Sequence, residues 1–237
     1  MAENSENEKP GNPILRAWNW FWTPTKVLSA GFVLIAGFLG GIMFWGGFHW
    51  TLELTNTEEF CTSCHSMETN LAEYRTTIHY SNHSGVRAIC SDCHVPHEWQ
   101  HKLKAKIMAV KDVYHEVVGT ISTPQKYEEH RAAMAAVVWR KMKLSDSREC
   151  RNCHNFKYMD FTVQETRAAS EHQRAIDNNM TCIDCHQGIA HDLAPGYQDH
   201  YREVIEELQA NNAIPAAPGE SVAAMRSYVS DLAENRN

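Results

Sequence analysis

The sequence has no charged side chain between Lys26 and Glu53, no cysteine outside four short motifs, and no excess of basic residues. Each absence removes a class of protein. With 22 Lys and Arg against 29 Asp and Glu, the formal net charge is −7, so no basic surface suited to nucleic acid is expected. With no spare cysteine, the chain has nothing from which to build a framework of disulfides closing long loops. The uncharged run excludes a wholly soluble domain, because Val27 to Trp50 is long and apolar enough to cross a bilayer as one helix. No strand pattern competes with the helical ones.

All 8 cysteines fall in four copies of Cys-x-x-Cys-His: Cys61 and Cys64 with His65, Cys90 and Cys93 with His94, Cys150 and Cys153 with His154, and Cys182 and Cys185 with His186. Each copy reads as a c-type haem attachment site. Two thiols three residues apart can each form a thioether to one porphyrin, and the adjacent histidine then offers its imidazole to the iron from one face. A zinc site would group cysteines into tetrahedral sets, yet would not explain a histidine after every second cysteine. A disulfide across two residues would close a small, strained loop that stabilises little.

The membrane span is flanked by Arg16 and Lys26 on its N-terminal side and by Glu53, Glu58 and Glu59 beyond it, which orients the N-terminus to the cytoplasm. Trp18, Trp20, Phe21 and Trp22 before the span, and Trp45 and Trp50 near its end, look like aromatic belts at the two interfaces. A cleavable signal peptide would have a shorter apolar region and a small-x-small exit, neither of which is present. Covalent haem requires an exported chain, so motifs and topology give one address: a bacterial inner membrane, crossed once, with the haem domain in the periplasm.

Four segments follow: a polar cytoplasmic leader over 1–25, the anchor over 26–50, a tetrahaem domain over 51–193 and a C-terminal extension over 194–237. The leader is expected to be poorly ordered to about Pro13. Within the haem domain the motifs are spaced 29 residues (Cys61 to Cys90) and 32 residues (Cys150 to Cys182), which hints at two dihaem halves. Between the pairs, Leu103, Ile107, Val110, Tyr114 and Val117 mark one helix with an apolar face, while Thr123-Pro124 opens a second that runs to about Leu144. Further amphipathic helices are expected at about Asp199–Leu208 and Ser221–Leu232, in a tail read as a solvated extension. The fold class is mainly α: one transmembrane helix and a small helical multihaem cytochrome c domain organised around four haems. Because the macrocycles themselves supply buried apolar surface, a large aliphatic core is not required.

Electron-transfer haems usually take a second axial ligand, and the 14 histidines minus the four in motifs leave ten for at most four places. His49 lies at the membrane exit, and His115, His130 and His200, in helical patterns, read as surface histidines. His79, His83, His97, His101, His172 and His191 lie near motifs, and spacing alone does not choose among them.

The anchor, the four motifs and the phrases Asn56-Thr57-Glu58-Glu59-Phe60-Cys61, Ser84-Gly85-Val86-Arg87, Asp92-Cys93-His94-Val95-Pro96-His97-Glu98, Thr123-Pro124-Gln125-Lys126 and Cys150-Arg151-Asn152-Cys153-His154-Asn155-Phe156 resemble the NapC/NirT family of membrane-anchored tetrahaem quinol dehydrogenases. The likeness covers about Trp18 to Leu193 and is nearest to the branch that donates electrons to periplasmic nitrate reductase. No fifth motif follows His186, unlike the family's pentahaem members.

The resemblance implies four covalent haem c groups, with quinol as substrate, ubiquinol or menaquinol. It implies a periplasmic reductase as partner, nitrate reductase with its small cytochrome c subunit, and leaves homo-oligomerisation open. It implies Met67 as ligand of the first haem, with His65 and His97 as alternatives; His94 with His191 for the second; His154 with His79 for the third; and His186 with His172 for the fourth. In the branch that feeds nitrite reductase the partner protein supplies the fourth haem's ligand, and His172 has no counterpart there. Lys106 to orient a quinol headgroup and Asp112 to take its protons also come from the resemblance. In an unbroken helix about 9 Å of rise would separate these two and put them on different faces. A competing class is an electron conduit that docks to another redox enzyme and has no quinone site of its own.

Overall fold

The computed structural model describes residues 12–22 and 30–215. Within them the chain is helical, with no strand, and it divides into two compact units at Leu54/Thr55.

In the first unit, the Asn12 side chain accepts the Ile14 N–H at 3.0 Å and opens helix α1, Pro13–Trp22, with proline at its first position. The sequence had marked this stretch only as leader. Helix α2, Ala30–Leu54, is the expected anchor: 25 residues, apolar on every face, ending one turn beyond the expected Trp50. At about 1.5 Å per residue it is long enough for a hydrocarbon layer of about 30 Å. Near its end the Thr51 hydroxyl donates to the Gly47 carbonyl at 2.8 Å, and Trp45 packs edge-on against His49 at 4.5 Å. Trp18 and Trp50 are exposed, whereas the side chains of Trp20, Phe21 and Trp22, and Lys26, lie outside the described residues.

The second unit carries α3 (Glu58–Cys61), α4 (Glu68–Tyr74), α5 (Cys90–His94), α6 (Trp99–Met108), α7 (Val110–Val117), α8 (Pro124–Leu144), α9 (Arg148–Arg151), α10 (Thr166–Asp177) and α11 (Tyr197–Ala210), with single 3-10 turns at His65–Met67, Phe156–Tyr158 and Cys182–Asp184. The Thr123 hydroxyl caps α8 by accepting the Lys126 N–H at 3.3 Å, so this helix has the expected bounds. The expected helix through Leu103 and Val117 is two helices, broken at Ala109. No proline or glycine marks the break. Its apolar face is also not buried: Ile107, Val110, Tyr114 and Val117 all point outward.

The largest departure is at the C-terminal side. Helix α11 is not a solvated extension, because it packs along α8 and buries Tyr201, Val204 and Leu208. Trp139, Ile183 and Tyr201 form the core cluster, with Trp139 edge-on to Tyr201 at 5.8 Å. The second tail helix, Ser221–Leu232, lies outside the described residues. Only eight apolar residues of the described chain are buried, which fits the expectation that the helices are not assembled around an aliphatic core.

Candidate functional site

The second, third and fourth cysteine motifs are each wound into about one helical turn, whereas the first leaves α3 after Cys61 and is extended at Cys64. In the third, the His154 N–H donates to the Cys150 carbonyl at 2.8 Å, and in the fourth the His186 N–H donates to the Cys182 carbonyl at 2.9 Å. That winding brings the second cysteine and the histidine, three and four positions on, to the same side as the first cysteine. The second and fourth motifs share a further device: Asp92 accepts the Ile89 N–H at 2.8 Å, and Asp184 accepts the Thr181 N–H at 2.7 Å. A carboxylate at this position caps the turn and suits the positive end of the helix.

The motifs meet in chain order. The Cys61 and Cys90 thiols share a hydrogen bond, as do those of Cys150 and Cys182, and α5 packs on α9 so that the second and third motifs adjoin. The Cys90 hydrogen bond, aided by the Lys106 charge, lowers the Cys61 thiol to about 7, and the Cys150 bond lowers Cys182 to about 6. The bond to the partner thiol, with burial, pushes Cys90 and Cys150 up. All eight sulfurs are unbridged. Among the described residues no three His, Cys, Asp or Glu side chains converge on a common point, as a zinc site would require.

The histidines pair across the motifs. The ring of His79 faces that of His154 at 6.1 Å between centres, His191 faces His94 at 6.3 Å, and His172 faces His186 at 6.0 Å. Two imidazoles bound to one metal from opposite sides, at about 2.0 Å per bond with ring centres about 1.2 Å behind the nitrogens, would stand about 6.4 Å apart. The three pairs match that span, so the residues present fit a haem iron between each pair. Nδ1 of His79 and Nδ1 of His191 are buried without a hydrogen bond, with Glu73 3.8 Å from the latter. Burial lowers the basicity of His79, His186 and His191, reinforced by His154 at the first and His172 at the second but opposed by Glu73 at the third, and takes His94 down to about 4. The His94 side chain keeps contact with solvent although protein lies densely around it, and that surrounding bulk accounts for the lowered basicity. A neutral imidazole is the form that ligates.

Second contacts hold these rings, and here lie residues the sequence did not single out. His172 Nδ1 is 2.7 Å from the amide oxygen of Gln164, and its ring is flanked by Phe156 at 6.0 Å and Phe161 at 6.3 Å. Behind His191, Arg131 Nη2 donates to the Glu73 carboxylate, 2.6 Å from each oxygen, and lies 2.7 Å from the Asp192 carbonyl; its Nη1 donates to Glu128 at 3.0 Å, and Glu73 accepts the Asp192 N–H at 3.0 Å. The residue after His191 is thus gripped at both its N–H and its C=O. These partners are remote from the rings in sequence, and no local pattern marked them.

Around the first motif no such ring pair forms. His65 is exposed and ion-pairs with Glu68 at 3.0 Å, and His97 is exposed with Asp92 at 3.7 Å, whereas Met67 is half-buried with its sulfur 3.8 Å from the Asn70 amide. Lys106 reaches back to Thr55, donating to its carbonyl at 2.6 Å and its hydroxyl at 2.9 Å. Thr55 directly follows the last residue of α2. Asp112 is exposed in the first turn of α7, on the far side of the Ala109 break from Lys106.

Comparison with known proteins agrees with this geometry. The NapC/NirT cytochrome c family, N-terminal region, matches residues 23–196. The cytochrome c-type protein NapC of Escherichia coli (strain K12) is 53% identical over 190 residues, covering 80% of this chain and 94% of that protein. The denitrification system component NirT of Stutzerimonas stutzeri is 51% identical over 174 residues, 73% of this chain and 87% of its own. A putative tetraheme cytochrome-c type protein of Allochromatium vinosum is 53% identical over 154 residues, 65% of this chain and 84% of its own. No solved structure matches. With three-quarters of its length covered by the family and its cysteine turns arranged for haem c, the chain belongs to the NapC/NirT cytochrome c family of electron-transfer proteins.

Proposed function

We propose that this protein is a tetrahaem cytochrome c, anchored in the bacterial inner membrane with its haem domain in the periplasm, that oxidises membrane quinol and delivers the electrons to a periplasmic reductase. The observation that carries the reading is the set of three imidazole pairs at iron-spanning separation, each pair containing the histidine of a Cys-x-x-Cys-His turn. His94 and His191 would hold the second haem, His154 and His79 the third, His186 and His172 the fourth. Met67 would serve the first, supported by the outward, ion-paired position of His65 and the exposure of His97. Bound haem c supplies one-electron redox couples, which together take up the two electrons of a quinol singly.

The chain's own residues would handle the quinol and its protons. Lys106, held by the residue that follows the membrane helix, offers a cation beside Cys61 to orient the headgroup oxygen. Asp112, open to solvent, is suited to pass protons outward. The outward apolar side of Ile107, Val110, Tyr114 and Val117 offers a surface to a lipid-borne ring. Nitrate reductase with its small cytochrome c subunit is the acceptor that the resemblance implies, and the likeness to NapC and NirT proteins supports it.

The separation of Lys106 and Asp112 onto two helices favours one rival, a conduit without its own quinone site. Purified haem-loaded protein in liposomes containing ubiquinol or menaquinol distinguishes them. Quinol-dependent haem reduction is expected; no reduction by quinol, with dithionite reducing every haem, would establish the conduit. Pyridine-haemochrome quantitation should give four haems per chain.

A further inference from the structure

His172 differs from the other two distal rings in what stands behind it. Nδ1 of His79 and Nδ1 of His191 are buried without a hydrogen bond, whereas Nδ1 of His172 faces the Gln164 side-chain oxygen at 2.7 Å. An amide oxygen only accepts, so Nδ1 carries the proton and Nε2 keeps its lone pair. Phe156 and Phe161 flank the ring, which limits its rotation, and His186 stands opposite at 6.0 Å. Gln164 is itself half-buried on the loop before α10, the helix that carries His172, so helix and loop hold the same ring from two directions.

We infer that Gln164 is a positioning residue that fixes the tautomer and rotation of His172 and thereby sets the reduction potential of the fourth haem. The inference rests on His172 being that haem's distal ligand. An acceptor on the outer nitrogen makes an imidazole a stronger donor and holds its ring plane. A carboxylate there strengthens donation and favours the oxidised iron; a hydrocarbon weakens it and favours the reduced iron. A neutral amide sits between, so the two replacements move the potential in opposite directions.

The test uses full-length, haem-loaded protein carrying Gln164→Glu, Gln164→Leu or His172→Gly, with haem content, low-temperature electron paramagnetic resonance and a potentiometric titration of all four centres. The His172→Gly protein identifies the affected centre by turning one low-spin haem high-spin. At that centre Gln164→Glu should shift the midpoint down and Gln164→Leu should shift it up, with haem content and the other three midpoints unchanged. Opposite shifts at constant haem content are not produced by loosened packing. If both Gln164 proteins keep wild-type midpoints and signals, shift in the same direction, or both lose haem while His172→Gly makes one haem high-spin, the role of Gln164 is refuted and the ligand assignment stands. If His172→Gly leaves all four haems low-spin, the ligand assignment fails and this inference fails with it.

Discussion

The Tyr201 hydroxyl donates to the Asp184 carboxylate at 2.5 Å, joining a helix beyond the family's matched region to the fourth cysteine motif. Asp184 lies between Cys182 and Cys185, is almost wholly buried, and also receives Lys143 from α8 at 2.8 and 2.7 Å. Ser147, fully buried and in the left-handed region with φ of 50°, accepts the Ile183 N–H at 3.2 Å from the end of α8. The fourth haem turn is therefore bolted to α8 and α11 rather than lying on a surface loop.

Losing one member of this buried group should be costly in proportion to the charge left behind. Tyr201→Phe removes one hydrogen bond to a carboxylate and should destabilise the haem domain by about 1.5–3 kcal/mol. Lys143→Met strands the carboxylate and should cost more, about 3–5 kcal/mol. Thermal unfolding of the haem-loaded protein measures both, and equal losses would show that Lys143 does not neutralise Asp184.

The grip of Arg131 and Glu73 on Asp192 predicts an effect at one haem only. Arg131→Met removes the guanidinium fork, frees the Asp192 carbonyl and strands the Glu73 carboxylate that holds the Asp192 N–H, so the second haem should lose its low-spin signature in part while the first and fourth keep theirs. Arg131→Lys restores charge without the fork and should recover stability better than spectrum. Electron paramagnetic resonance of the two variants reads this; matching spectra for wild type and Arg131→Met would remove the clamp from the argument.

Lys106→Ala should lower quinol oxidation by about 10²-fold while leaving haem content intact, the scale expected when a positioned acid–base or orienting group is lost. Asp112→Asn should act in the same direction. Turnover under saturating quinol is the measurement, and wild-type rates in Lys106→Ala would remove that residue from the site.

The lowered basicity of His94, with a value of about 4 set by burial and then by His191 and Lys141, has a definite sign on stability. An ordinary histidine in the unfolded chain takes up a proton near pH 6.5, so between about 6.5 and 4 the unfolded state binds more protons. The stabilisation is complete above pH 6.5 and disappears as pH falls towards 4. His79, His186 and His191 shift the same way for the same first cause. Melting temperatures taken across this window should fall on acidification; a flat profile would contradict the internal position of these rings.

Helix α8 was legible because its signals are local: a threonine cap, a proline at the first turn and an apolar rhythm that stops at Leu144. The anchor was legible for the same reason, since a run without charge needs no partner to be recognised. The break at Ala109 was not, because Met108-Ala109-Val110 carries no backbone-restricting residue. The burial of α11 was not legible either: its apolar positions are those of any amphipathic helix, and only Trp139 and Ile183 decide that they face inward.

The sequence by itself determined the chemistry and its bounds. Eight cysteines in four identical frames, each followed by histidine, point to haem c without reference to the fold, because the spacing is written in neighbouring residues. Only the tertiary structure decided which distant rings meet: His79 with His154, His191 with His94, His172 with His186. It alone placed Gln164 and Arg131 behind those rings. The reason is one of range. A motif is written in neighbouring residues and survives unfolding, whereas a ring held 6 Å from another exists only when helices far apart in the chain are packed together.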